Sequence, residues 1–528
     1  MLESVPDSPP TDLSTRLTDA QTGTKGLDDV LGGGLTRNRL YVVEGVPGSG
    51  KTTLALRFLT EGAQTGEPVL YITLSETEEE LRAAARSHDW SLDGVTIRQI
   101  APAPDSLQPG SQYTMFHPSE VELGETVRVV LAEVERTKPA RVVIDSLSEL
   151  RLLAGNALRY RRQILVLKQF FSGQQCTVLL LDDLTASDRD LQVQSIAHGV
   201  INLEHTASDF GSERRRLRVI KYRGRAYRAG YHDFLILKGG LQVFPRLVAS
   251  EHRQVRVQER LPSGLAALDA LLGGGIDAGT SMLIVGAAGV GKSTLASLFV
   301  SAAAARGQSS AMFLFDESIQ TLLSRSAGLG IGLEEQVGTG RVRLQPVDPA
   351  ELSPGEFAHS IRRAVEEQGA RIVVIDSLNG YLNAMPDERF LVMQLHELLS
   401  YLGQQGVATV IIGAHQGLIG SQMTTPMDAS YLADAVLLLR YFEAGGEVRQ
   451  AISVMKKRGG EHERTIREFR LANGAIEVGE PLRKFRGVLT GVPQYEGVEA
   501  PAVRPLRWRR SPAGTRGSSG RVPLRAFS

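Results

Sequence analysis

The sequence predicts an α/β protein made of two tandem copies of one domain, each a mostly parallel sheet covered by helices. Three observations predict it. The chain repeats itself at an offset of 241 residues. Apolar runs within each copy show little alternation, which marks strands buried on both faces. Helix-spaced apolar stretches separate those runs, as the crossovers of a parallel sheet require.

The elements follow in order. Residues 40–44 form a short β-rich run ending in a glycine loop. Residues 52–64 carry apolar positions at helical spacing. Residues 69–74 are strand-like again, and 140–145 and 177–181 are continuous apolar runs.

The repeat is visible in matching strings. TGTKGLDDVLGGGL from Thr22 matches SGLAALDALLGGGI from Ser263. GVPGSGKTTLALRF from Gly45 matches GAAGVGKSTLASLF from Gly286, and LYITLSET from Leu70 matches AMFLFDES from Ala311. RVVIDSLSEL from Arg141 matches RIVVIDSLNGY from Arg371, and VIKYRG from Val219 matches VMKKRG from Val454. So long a period excludes a solenoid and indicates a tandem duplication. The domains are expected at 16–247 and 248–493, joined through a charged stretch near 244–261. An N-terminal arm at 1–15 and a basic tail at 494–528 are expected to be disordered.

The chain has 528 residues, with 59 Lys+Arg against 59 Asp+Glu. That balance excludes a uniformly basic nucleic-acid coat and a uniformly acidic solvating chain. It is a cancellation: residues 501–528 hold seven arginines and no acid, leaving 52 basic and 59 acidic residues elsewhere. The tail is expected to be a solvated end or to dock on an acidic partner, on nucleic acid or on its own assembly. One cysteine, Cys176, excludes an internal disulfide framework and a cysteine-rich zinc site. No signal-like start is present, and no apolar run approaches the ~18 residues of a membrane span. A cytoplasmic location and no membrane partner are expected.

Residues 45–52 (GVPGSGKT) and 286–293 (GAAGVGKS) each fit G-x-x-x-x-G-K-[ST], after a strand and before a helix. The expected nucleotide-binding residues are Gly48, Ser49, Gly50, Lys51, Thr52 and Thr53 in the first copy. Gly289, Val290, Gly291, Lys292, Ser293 and Thr294 are their counterparts. Glycines let backbone N–H groups curl toward phosphate oxygens, and a helix N-terminus favours negative charge. Lys51 and Lys292 are expected to reach the β- and γ-phosphates of ATP.

Four residues are expected to hold Mg²⁺: Thr52 with Asp145, and Ser293 with Asp376. The plain alternative for each aspartate is a cap of the next element, since Ser146 and Ser377 follow. Glu76 and Glu317 are the expected catalytic carboxylates that activate the nucleophile. The alternative for Glu76 is an acidic helix start, because Glu78, Glu79 and Glu80 follow. Asp316 can also act as a base, whereas Ser75 at its counterpart cannot, so the two sites should differ in rate or metal geometry.

Lys221 with Arg223, and Lys456 with Arg458, sit at i and i+2, which share one face of a strand. They can reach a neighbouring subunit's γ-phosphate. A solvated strand edge is the alternative.

These motifs together resemble the KaiC family of circadian clock ATPases, within the RecA-like P-loop ATPases. The resemblance spans about 22–493 and includes both phosphate loops, IDSL twice and KxRG twice. The stretch from GAHQGLIGSQ to KKRGGEHERTIREF resembles the family's second domain. It implies an ATP-dependent homohexamer of stacked rings, with the two cation pairs reaching across subunits. It also implies hydrolysis in the first ring and Ser/Thr autokinase activity in the second. The family's phosphoacceptor pair falls on Ser430 and Tyr431, a tyrosine standing where the family has threonine. Thr424 and Thr425 lie nearby. LRKFRGVLTGVPQ, from Leu482, resembles the family's partner-binding loop, so regulatory or signalling proteins are expected at this loop and the tail.

Two other function classes fit the same core. One is a RecA-type nucleic-acid-dependent motor. Neither repeat holds a zinc module or a basic, aromatic-laced loop, so nucleic acid is not expected. The other is a nucleotide-gated scaffold without kinase activity.

Overall fold

A computed structural model describes residues 19–100, 118–184, 191–207, 211–252, 259–383, 388–414, 431–472, 474–489 and 493–496. The first sheet has nine strands: β1 (Leu40–Gly45), β2 (Val69–Thr73), β3 (Val95–Gln99), β4 (Arg141–Asp145), β5 (Thr177–Asp183), β6 (Gly199–Thr206), β7 (Arg214–Tyr222), β8 (His232–Leu237) and β9 (Gly240–Phe244). Their order is β3-β2-β4-β5-β1-β6-β7-β8-β9. Strands β3 through β6 run parallel, and β7 to β9 extend the sheet antiparallel.

The second sheet repeats this topology with β10 (Ser281–Gly286), β11 (Ser309–Leu314), β12 (Val342–Pro346), β13 (Ala370–Asp376), β14 (Ala408–Ala414), β15 (Ala435–Ala444), β16 (Glu447–Lys457), β17 (Arg467–Ala472) and β18 (Ala475–Pro481). Its order is β12-β11-β13-β14-β10-β15-β16-β17-β18. The expected α/β class with two mostly parallel sheets is the one observed.

Helices cover both faces. The ones used below are α1 (Lys51–Gln64), α2 (Glu78–Ser87), α3 (Pro118–Thr137), α4 (Leu147–Ala154) and α5 (Ala157–Gly173) in the first copy. In the second they are α6 (Lys292–Ala305), α7 (Ile319–Gly328), α8 (Pro354–Glu366) and α9 (Glu388–Gln404). Successive side chains of a strand point to opposite faces. In β1, Tyr41 and Val43 therefore join Leu54 and Phe58 of α1 in one cluster. Leu40 and Val42 join Ile164 and Leu167 of α5 in the other. Burial on both sides explains why the run lacks alternation. Each fully buried large apolar side chain contributes about 1.5–3 kcal/mol.

Local chemistry sets the helix starts. Thr77 caps α2 through Glu80 N at 3.2 Å, and Glu80 Oε2 accepts from Thr77 N at 2.8 Å. The Ser318 hydroxyl accepts from Thr321 N at 3.1 Å at the start of α7. Ser353 caps α8, with Pro354 in the first turn where no N–H is needed.

Segment 244–261 contains packed structure. A 3₁₀ turn, Ala249–His252, docks on α9. Ala249 N donates to Glu397 Oε2 at 3.2 Å, and His252 lies edge-on to Tyr401 with ring centroids 5.0 Å apart. The copies also meet where Asp233 of β8 accepts from Gly355 N at 2.7 Å, at the start of α8. Burial raises the Asp233 carboxyl above its usual range, opposed by the Gly355 hydrogen bond and by Arg216 and Arg214.

Gln494–Tyr495, at the start of the expected tail, pairs antiparallel with Phe485–Arg486 of the partner-loop segment. Phe485 packs on Phe442 of β15, with centroids 5.6 Å apart. The arm at 1–15 and the tail from 501 lie outside the described residues. Among the described residues, no helix is long and apolar enough to cross a membrane.

Candidate nucleotide sites

Each phosphate loop leaves the carboxyl end of a central strand and enters a helix. Gly48 and Gly50 have φ of 78° and 98°, and Gly289 and Gly291 have φ of 75° and 104°. These left-handed values cost other residues strain and turn the loop back on itself. Among the described residues, no side chain caps α1 or α6, and neither first turn carries an acid. Helix α2, by contrast, has Glu78, Glu79 and Glu80 there. The N-terminal fields of α1 and α6 are thus left for an anionic ligand.

The loop lysines fold inward. Lys51 Nζ donates to Gly45 O at 2.9 Å and Val46 O at 3.0 Å. Lys292 Nζ donates to Gly286 O at 3.0 Å and Ala287 O at 2.8 Å. Burial lowers the Lys292 pKa, with Asp376 opposing. Ser49 and Val290 are fully buried. Val290 packs into the core, so only its backbone faces a ligand. Thr53 and Thr294 continue the first helical turns.

Strand order brings the aspartates to the loops. Asp145 ends β4 and accepts from Thr52 Oγ1 at 3.4 Å and from the Tyr71 hydroxyl at 2.5 Å. Burial raises its pKa, while the Tyr71 hydrogen bond lowers it. Asp376 ends β13, and burial raises it to about 6, with Ser293 opposing. Tyr71 is replaced by Met312 at the offset, and among the described residues Asp376 Oδ2 is buried without a hydrogen-bond partner. An orphaned carboxylate oxygen beside a hydroxyl is a donor set that fits Mg²⁺.

The acidic pairs sit at the ends of β2 and β11. Glu76 is raised to about 7 by burial and by Asp145, Glu80 and Asp183, with Lys51 opposing. Glu317 instead forms two hydrogen bonds with Arg325, at 2.5 and 2.8 Å. Asp316 accepts from the Ser377 hydroxyl.

The cation pairs lie elsewhere. Lys221 pairs across the sheet with Val200, near the start of β6, whereas the loop leaves β1 level with Leu203. Lys221 Nζ and Arg223 Nη2 both donate to Ser195 O, at 3.3 and 2.8 Å. Lys456 Nζ donates to Ala433 O at 2.8 Å, and Arg458 to Tyr431 O at 2.9 Å. Arg223 and Arg458 lie one residue past the ends of β7 and β16, so the pairs do not share a strand face as expected, but each sits toward the end of the sheet opposite its own chain's phosphate loop. Tyr431 is exposed. Ser430, Thr424 and Thr425 lie outside the described residues.

Two residues at these sites escape the sequence reading. Asp183 ends β5 and pairs with Lys51 Nζ at 2.7 Å. Its position at a strand end beside β1 is a signal that the run LLLDD carries. Arg325 lies on α7, two turns after Glu317, and nothing in its surroundings marks it.

Comparison with known proteins agrees with this geometry. The family model described as "ATPase: KaiC" matches residues 20–248 and again 261–483. The circadian clock protein KaiC3 of Synechocystis sp. is 27% identical over 485 residues, covering 90% of this chain and 94% of that one. The circadian clock oscillator protein KaiC of Thermostichus vulcanus is 27% identical over 504 residues, covering 93% and 95%. KaiC of Synechococcus elongatus is 26% identical, covering 90% and 91%. The chain, with its two copies of the matched domain, belongs to the KaiC ATPase family.

Proposed function

We propose that the chain is an ATP-binding and ATP-hydrolysing ring protein with one nucleotide site in each of the domains 16–247 and 248–493. The observation that carries this is the duplicated loop: an uncapped helix start, an inward lysine and a strand-end aspartate, built twice. Backbone N–H groups of 48–52 and 289–293 bind the phosphates, and Lys51 and Lys292 move from carbonyls to phosphate oxygens. Thr52 with Asp145, and Ser293 with Asp376, are the residues that would hold Mg²⁺, which neutralises phosphate charge when bound. Glu76 accepts the proton as water attacks the γ-phosphorus and the β–γ bridging oxygen leaves with ADP.

The cation pairs fit a neighbour's γ-phosphate better than their own, because they lie at the far end of the sheet. This supports an ATP-dependent homohexamer. In the second site Glu317 and Asp316 serve the same chemistry, and Ser430 is the foremost acceptor for autophosphorylation, ahead of Tyr431. The role is signalling or circadian-type regulation in the cytoplasm, with partners at the C-terminal loop and tail.

Phosphopeptide mass spectrometry after incubation with Mg·ATP tests the kinase step. Phosphate on Ser430 supports it. No phosphate on Ser430, Tyr431, Thr424 or Thr425 leaves a nucleotide-gated ATPase scaffold.

A further inference from the structure

The two sites hold the same number of carboxylates, arranged differently. Asp376 in the second faces Glu317 and Asp316, with Arg325 beside them opposing their charge. In the first, Asp145 and Glu76 both face Asp183. Sheet register fixes the equivalences. Leu74 N donates to Asp145 O as Phe315 N donates to Asp376 O, so Ser75 stands where Asp316 stands. Gly45 pairs with Asp183 as Gly286 pairs with Ala414, so Asp183 has no acidic counterpart. The first site lacks a carboxylate on β2's side of the cleft and gains one on β5's side.

The hydroxyl partners moved with it. Asp316 accepts from Ser377, which directly follows Asp376. Asp183 accepts from Ser148 at 3.1 Å, and Ser148 in turn bonds Ser146, the counterpart of Ser377. Each third carboxylate is thus tied to the serine after the strand-end aspartate, directly in one site and through one further hydroxyl in the other. Asp183 Oδ1 also lies 2.7 Å from Lys51 Nζ, a lysine side chain only 7% exposed.

We propose that Asp183 is a further positioning residue of the first site, a third carboxylate supplied from β5 in place of the one that Ser75 lacks. Before nucleotide arrives it is the counter-ion of Lys51. A phosphate must displace it, so it opposes nucleotide binding. Once displaced it stays tied to Ser148 and keeps the negative charge beside Glu76 and Asp145 that Asp316 keeps beside Glu317 and Asp376. The second site shows that the fold tolerates the loss, since Lys292 rests on two carbonyls with Ala414 at the position of Asp183.

This inference rests on the first loop being a hydrolytic nucleotide site. The test uses the full chain with Lys292→Ala, which leaves the first site to be read. Asp183→Ala should bind a fluorescent ATP analogue several-fold more tightly at equilibrium while its kcat falls roughly 10- to 100-fold. Adding Ser75→Asp should restore kcat to within a few-fold of the starting protein, because it returns a carboxylate to the position it holds in the second site. An unchanged kcat in Asp183→Ala, or a folded double variant with no recovery, overturns the proposal. Lys51→Ala in the same background separates the two levels. If it binds and hydrolyses normally, the site reading itself fails. If it loses nucleotide while Asp183→Ala changes nothing, only the role of Asp183 fails.

Discussion

Arg325 clasps Glu317 with two parallel hydrogen bonds, Nη1–Oε1 at 2.5 Å and Nη2–Oε2 at 2.8 Å. At the same offset in the first copy stands Ala84, which has no charge to offer Glu76. A fork-on-fork pair fixes a carboxylate in direction. The two sites thus hold their glutamates differently: burial and neighbouring carboxylates raise Glu76 to about 7, whereas Glu317 is oriented by a guanidinium.

Removing that clasp should free the second site's base. Arg325→Ala, in a Lys51→Ala background, should raise second-site hydrolysis roughly 2- to 5-fold, in line with a partly exposed pair worth up to about 1 kcal/mol. Ala84→Arg should slow the first site by a similar factor. Steady-state phosphate release measures both. Equal rates before and after would mean that the pair does not restrain Glu317.

The first site should show a pH profile centred near the Glu76 pKa of about 7. A base works only when deprotonated, so hydrolysis should be low at acid pH and rise through neutrality to a plateau. Glu76→Gln should reduce the rate at least 100-fold and remove the profile. Rates measured from pH 5.5 to about 8.5 in the Lys292→Ala background check this.

The contact between the copies should be measurable as stability. Asp233 supplies the acceptor for Gly355 N from inside the interface. Asp233→Ala leaves that donor without its partner and should cost about 1–2 kcal/mol. Denaturant melts of the full chain should show a lower midpoint, and two separated transitions if this contact couples the domains.

The cation pairs should act between subunits. Arg223→Ala should lower first-site hydrolysis at least about tenfold while leaving nucleotide binding by the isolated subunit unchanged. Mixing it with Lys51→Ala subunits should restore part of the activity, because an intact loop then meets an intact arginine. No recovery on mixing would place the pair outside the reaction.

The sequence carried the loops and the strand-end aspartates because each is encoded within a few contiguous residues: GVPGSGKT before a helical stretch, and RVVID closing an apolar run. Buried strands such as Leu40–Gly45 were legible for the same reason. The antiparallel strands were harder. In β7, Arg214, Arg215, Arg216 and Arg218 interrupt the apolar pattern, since this part of the sheet is only half-buried. The packed turn Ala249–His252 hides in a charged stretch because its order comes from α9, far along the chain. Asp183 and Arg325 were missed on similar grounds. Asp183 reaches its lysine only through the β1–β5 pairing, and Arg325 meets Glu317 across eight residues, from two turns into α7 to the loop before it.

The central claim is that the chain holds two distinct nucleotide sites, and lysine variants test it most directly. Equilibrium ATP binding and phosphate release would be measured for the unaltered chain, Lys51→Ala, Lys292→Ala and the double variant. The account predicts that each single variant keeps about half the bound nucleotide, with separable hydrolysis rates, and that the double variant loses both activities. Unchanged binding and hydrolysis in the double variant would contradict it.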